Sequence, residues 1–278
     1  MENKVWLITG VSSGFGKQLA TLAAKKGANV IGTVRNSAQI ETVNALEKGK
    51  SFGYLLDVNN HKQVNELIKE VEARFGKIDV LVNNAGYGFC GAIEEASEKD
   101  VRDQMETNFF GAYAVTKAVL PIMRKQRSGH IIQISSQAGI NSSPGLGVYN
   151  ASKFALEGFS EALYHELAPL GIKVSIVEPG PFRTDWAGGS MKFPEAIIED
   201  YLPTAGKIKQ ILSNVNGVQP GDPIKGAEAI IHITEIETPP LRLALGKIAV
   251  DTIRRKLEWV GKELTQWETL SIGADYKN

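Results

Sequence analysis

Cysteine is nearly absent: Cys90 stands alone among 278 residues, which excludes an internal disulfide. Histidine is scarce as well. Four are scattered along the chain, so a Cys/His metal site is not expected. Charge of one sign is also missing, because Lys plus Arg and Asp plus Glu both number 31 and no basic run offers a footprint for nucleic acid or an anionic membrane. No window holds eighteen uninterrupted apolar residues, and Met1 to Lys4 reads as a short polar lead into an apolar run rather than as a signal peptide. Internal repeats and low-complexity tracts are lacking too. These absences leave the expectation of a cytoplasmic, reducing setting with no membrane span.

What is present is material for a full core. Hydrophobic residues make up 43% of the chain, and its length suits one domain over residues 1–278 better than two small ones. Short apolar runs recur at 5–9, 29–34, 52–56, 78–82, 130–135 and 173–178, and they read as buried parallel strands. Between them lie segments with helical spacing, such as Val64, Leu67, Ile68 and Val71 ahead of a Phe-Gly-Lys stop. Regular alternation of strand and helix predicts an α/β fold, a doubly wound (Rossmann-type) parallel sheet with helices on both faces. Any ligand crevice then lies beyond the C-terminal ends of the strands.

The last hundred residues are less regular. Residues 181–215 mix Pro and Gly with aromatics and read as a lid over a site, with Phe182, Trp186, Phe193 and Tyr201 forming either an apolar wall or the lid's own small core. Residues 216–278 form a C-terminal extension: a helix near 222–235, a strand at 241–245, and a long amphipathic helix carrying Ile253, Leu257, Val260 and Leu264.

Glycines at 10, 14 and 16 fall between the first strand and the first helix. There a backbone turn can bring a phosphate against N–H groups at a helix N-terminus. Their spacing is not the G-x-G-x-x-G of the general dinucleotide fingerprint. The second strand ends without the acidic residue that would bind the ribose hydroxyls of NAD; Arg35 follows Val34 instead, and its guanidinium suits the 2′-phosphate of NADP. Ser12 offers a hydroxyl to the same phosphate. Further on, Tyr149 and Lys153 stand one helical turn apart, and Ser136 closes the fifth strand run.

With these residues in view, the chain resembles the classical short-chain dehydrogenase/reductase family. The resemblance rests on "TGVSSGFG" at 9–16, "DV" at 57–58, "NNAG" at 83–86, Asn108, "SS" at 135–136, "YNASK" at 149–153 and "PGPFRT" at 179–184, in that order. It covers about the first 185 residues and implies an NADP(H)-dependent oxidoreductase acting on a carbonyl or secondary alcohol. By this resemblance Tyr149 is the general acid or base, its pKa lowered by Lys153 and by the oxidised nicotinamide; Ser136 binds the substrate oxygen, with Ser135 the competitor; and Asn108 holds a water in a relay from Lys153. The cofactor contacts it implies are Gly10, Ser12, Ser13, Gly14, Phe15 and Gly16 in the loop, then Arg35, Asp57, Val58, Asn83, Ala85 and Gly86. Tyr149, Lys153, Pro179, Gly180 and Thr184 complete them. His165 lies over four turns from Tyr149 on one helix and is not expected to take part, while Cys90 is either at the substrate mouth or simply packed.

The lid and long tail look like the retinol and hydroxysteroid dehydrogenase branch, which implies an apolar ketone, aldehyde, steroid-like or retinoid-like small-molecule substrate. A 3-oxoacyl-thioester reductase is the enzymatic alternative, and a non-catalytic NADP-sensing protein the alternative of another class. The resemblance also implies a homodimer or homotetramer built through helices at about 100–126 and 148–168.

Overall fold

Apolar runs of this kind leave no polar face for water and demand cover on both sides. A computed structural model describes residues 1–276. The strands are β1 (Val5–Ile8), β2 (Asn29–Val34), β3 (Ser51–Leu55), β4 (Val80–Asn83), β5 (Gly88–Phe89), β6 (Gly129–Ile134), β7 (Ile172–Pro179), β8 (Met191–Lys192) and β9 (Arg242–Leu245). Seven of them form one sheet in the order β3-β2-β1-β4-β6-β7-β9, and every pairing in it is parallel. The doubly wound expectation holds. Every residue of β1 and of β4 is buried, as strands covered on both faces require.

The helices are α1 (Gly14–Lys25), α2 (Ile40–Asn44), α3 (His61–Phe75), α4 (Glu98–Met105), α5 (Ala112–Gln126), α6 (Gly147–Leu167), α7 (Lys207–Val215), α8 (Pro223–Glu235) and α9 (Lys247–Ile272). Two apolar clusters lie on the two sides of the sheet, one joining Trp6, Ile8 and Leu19 to Ile230 of α8, the other joining Leu7 and Leu81 to Val71 of α3 and Val119 of α5. The chain steps outward from β1 to β3 and then restarts at β4 on the other side of β1. That reversal opens a crevice at the C-terminal ends of β1 and β4.

Residues 181–215 return over this crevice. β8 pairs with β5 as a separate two-stranded sheet, and the Ile198 N–H donates to the Glu95 carboxylate at 2.9 Å. The extension beyond contributes β9 as the edge strand beside β7, and no helix among the described residues is long and apolar enough to cross a membrane.

Candidate active site

The first turn of α1 carries the glycines. Gly10 adopts φ +70 and Gly14 φ +56, a region that favours glycine, and a Cβ on Gly10 would stand 3.0 Å from Ala85 Cα. Ser13 caps α1 without a side-chain hydrogen bond, so its first N–H groups are free of side-chain partners and face the crevice as an anion cradle. Gly16 packs instead. Its Cβ would collide with the Gly10 carbonyl and the Asn84 amide, which makes it a close-packing residue behind the cradle rather than part of its wall.

A cavity of about 320 Å³ runs from this loop to α6. Gly10, Ser12, Ser13, Gly14 and Phe15 line it at the loop, with Arg35, Asp57 and Val58 beyond β2 and β3; Ala85 and Gly86 follow β4, Ser136, Tyr149 and Lys153 line it toward α6, and Pro179, Gly180 and Thr184 complete the wall, Thr184 lying 3.5 Å from where a Gly14 Cβ would stand. Residues distant in sequence therefore share one cleft. Arg35 is exposed just past β2, and among the described residues no carboxylate lies within ion-pair distance of it.

Asn83 is not in the cleft. Its amide donates to the Thr116 hydroxyl at 2.8 Å and to Gln133 at 3.0 Å on the buried side of the sheet, because side chains alternate along a strand and position 83 points away. Asn84 lines the cavity in its place, donating to the carbonyls of Thr9 and Gly10 at 2.9 and 2.8 Å. Thr9, overlooked in the sequence, accepts from the N–H groups of Asn84 and Ala85 at 3.0 Å each. A hydroxyl closing an otherwise apolar strand run was its signal.

Tyr149 and Lys153 project from the same face of α6, both buried, with the Lys153 Nζ 5.9 Å from the phenol ring centre. The ammonium donates to the Ile134 carbonyl at 2.8 Å. Burial pushes Lys153 down to about 8, with the Glu157 carboxylate opposing. The expected lowering of Tyr149 is overturned in the protein alone: burial raises its phenol to about 12, and the Ser136 hydroxyl, which lowers it, offsets only part of that. Desolvation wins because the phenol is fully enclosed and the Ser136 hydroxyl is a weak counterweight to lost hydration. A phenol held this high stays protonated at neutral pH, the state a proton donor requires, and is a weaker acid than a free tyrosine.

Ser136 lies beside the phenol, its Oγ accepting from Ala138 N–H at 3.1 Å and donating to the Pro179 carbonyl at only 3.4 Å. Ser135 turns toward α6, since a Cβ on Gly139 would meet both its Oγ and the Glu157 side chain. Asn108 sits in a π-helical turn (Glu106–Gly111) between α4 and α5, and its side chain bonds the Tyr87 backbone and the Ser152 hydroxyl. Its amide oxygen accepts from Tyr87 N–H at 3.1 Å, while its nitrogen donates to the Tyr87 carbonyl and the Ser152 hydroxyl. It fixes the strand end that carries Gly86, whose Cβ would lie 3.1 Å from the Asn108 oxygen and 3.9 Å from Lys153 Nζ.

From residues 181–215, Trp186 lies against Tyr149 with ring centres 5.1 Å apart, and Leu212 and Val215 of α7 add apolar wall. Phe182 lines the cavity and packs on Phe15, whereas Phe193 is exposed and the Tyr201 hydroxyl donates outward to Glu94 at 2.6 Å. Cys90 is packed, 1% exposed, its thiol pushed up to about 11 by burial. Behind Lys153 a set of charges went unread in the sequence: Arg242 of β9 bonds Glu157 and Glu161 at 2.7 Å each and approaches Glu178 at 3.8 Å.

Residues 4–193 match the model of the family described as short chain dehydrogenase. Among curated proteins, the oxidoreductase BOA17 of Botryotinia fuckeliana is 40% identical over 98% of this chain and 99% of its own. The 3-ketodihydrosphingosine reductase of Bacteroides thetaiotaomicron is 38% identical over 96% and 97%, and human retinol dehydrogenase 8 is 38% identical over 85% and 79%. A solved short-chain dehydrogenase from Streptomyces avermitilis superposes with TM-score 0.93 at 43% identity, covering 98% of both chains. Solved structures that carry cofactors include one from Burkholderia phymatum with NAD (TM-score 0.81, 27% identity, 94% and 95% covered) and ElxO with NADP (0.72, 28%, 87% and 96%).

Proposed function

Because this chain belongs to the short-chain dehydrogenase family, and is on that ground an oxidoreductase, we propose that it is an NADP(H)-dependent reductase of an apolar ketone or aldehyde. The observation that carries the cofactor preference is Arg35, exposed and free of carboxylate partners among the described residues, at the ribose end of a cradle whose glycine turn suits a pyrophosphate. When bound there, the dinucleotide supplies or removes a hydride at the substrate carbon. The chain's own residues manage the oxygen and its proton. Ser136 turns its weakly engaged hydroxyl to the substrate oxygen and stabilises charge developing on it. Tyr149 donates its proton to that oxygen, since burial keeps the phenol protonated. Lys153, held by the Ile134 carbonyl with its Nζ 5.9 Å from the phenol ring centre, supplies a cation near the phenolate that donation leaves behind and, on this reading, binds the ribose hydroxyls. Asn108 serves as a positioning residue that holds the Gly86 strand end.

Trp186, Leu146, Leu212 and Val215 make the mouth apolar, which supports a bulky hydrophobic carbonyl. The names of two relatives, a 3-ketodihydrosphingosine reductase and a retinol dehydrogenase, point the same way. We further infer a homo-oligomer formed through α4, α5 and α6, where Phe110, Phe154 and Tyr164 are exposed, and a reducing compartment in which Cys90 stays a thiol.

NADPH oxidation measured against ketones, aldehydes and 3-oxoacyl thioesters tests the reading. Bulky ketones or aldehydes should turn over fastest, and Tyr149→Phe should lose at least about a hundredfold in kcat, the ordinary scale of positioned proton transfer. A Phe variant as active as the parent refutes the proton donor, and preference for acyl thioesters refutes the substrate class.

A further inference from the structure

α9 runs 26 residues, close to 39 Å at the α-helical rise, and only its start touches the body of the protein. Ala249 is buried and Ile253 half-buried, yet every residue from 257 to 272 is exposed. In proteins most helical stability comes from packing an amphipathic face rather than from propensity, and the outer half of α9 packs on nothing within this chain. α9 has such a face. Val250, Ile253, Leu257, Val260, Leu264 and Trp267 alternate three and four apart, the spacing of a coiled-coil seam. Leu264 is 69% exposed and Leu270, beside the seam, 72%.

The charges say what covers it. Five basic and four acidic residues lie on α9, so it has little net pull toward an anionic membrane. At the positions flanking the seam the charges are sorted, with Lys247, Arg254 and Lys256 in the first half and Glu263 and Glu268 in the second, while Asp251, Arg255, Glu258 and Lys262 lie away from it. Two copies aligned parallel would set Glu263 against Glu268 of the other at the flanking positions, a repulsion. Antiparallel, with Leu257 facing Val260 of the second copy, Ile253 meets Leu264 and Val250 meets Trp267. That same register brings Lys256 beside Glu263 and Lys247 beside Glu268 across the pair. The seam and the charges agree on one arrangement. Seven side chains contributing about 100 Å² each cover roughly 700 Å² per copy, near what a stable dimer needs.

We propose that α9 is an interaction surface for a second copy of this chain, pairing antiparallel with its α9. The inference concerns assembly and holds whatever the substrate or cofactor preference.

Sedimentation of the full chain over a range of concentrations tests it, with Leu264→Glu, Lys256→Glu, Glu263→Lys and the Lys256→Glu/Glu263→Lys double variant. The wild type should show an association step whose Kd Leu264→Glu weakens roughly tenfold or more, as expected for a charge placed in an apolar seam. Each single charge reversal should weaken the step and the double variant should restore it, while NADPH oxidation with the best carbonyl of the substrate panel is unchanged throughout. A mass–concentration curve indifferent to Leu264→Glu, or a double variant no better than the singles, overturns the proposal. So does Leu264-dependent co-sedimentation with phosphatidylcholine–phosphatidylserine vesicles, which would make α9 a membrane-surface helix.

Discussion

Replacing Glu178 by Gln isolates one buried charge. Glu178 sits at the end of β7, 2% exposed, and its Oε1 has no hydrogen-bond partner. The cation near it, Arg242, stands 3.8 Å away and is already engaged at 2.7 Å by Glu157 and by Glu161. Burial, reinforced by the neighbouring Glu157 carboxylate and opposed by Arg242, raises Glu178 from 4.5 to about 7. Between those two values the unfolded chain has released this proton and the folded protein still holds it. Stability therefore falls as pH rises through that window and levels above it. A tenfold change in proton affinity corresponds to about 1.4 kcal/mol, so the window from 4.5 to about 7 is worth about 3 kcal/mol. Gln cannot ionise and escapes this loss. The stability of Glu178→Gln relative to wild type should rise by about 3 kcal/mol between pH 4.5 and pH 8, the other titrating groups being common to both proteins. Urea unfolding followed by tryptophan fluorescence at the two pH values reads the difference. If the two proteins differ by the same amount at both, Glu178 is not an uncompensated buried acid and the reasoning fails.

Arg35→Ala should raise the Kd for NADPH by about tenfold or more, the scale of a charge-assisted phosphate contact, and leave NADH nearly unchanged; equal loss for both in a fluorescence titration would remove the 2′-phosphate role. For the pH dependence, kcat/KM reports groups of the free enzyme, and Lys153 loses its proton near 8. The reductive kcat/KM should accordingly fall as pH rises through about 8, and a profile flat to pH 10 would contradict a working cation at Lys153.

Much of the architecture was legible because parallel strands buried on both faces must be written as unbroken apolar runs, and those runs mapped onto β1, β2, β3, β4, β6, β7 and β9 within a residue or two. The family motifs likewise marked the loop, the strand ends and the α6 pair. Single side chains were harder. Asn83 and Asn84 are indistinguishable as letters, and only the pleat of β4 decides which of them faces the cleft. For Asn108 the resemblance implied a water in a relay, and only the fold shows its amide bonded at both ends to the Tyr87 backbone.

The sequence by itself determined the alternation that yields a doubly wound sheet, and it put a phenol, an ammonium and a glycine turn where that sheet has its crevice, since periodicity and chain order are local properties. The tertiary structure alone decided the electrostatics. Burial raised Tyr149 and lowered Lys153, and Arg242 was brought from residue 242 to Glu157 across the edge of the sheet. Proton affinity depends on how much water and which charges surround a group, and neither is defined until distant parts of the chain have packed together.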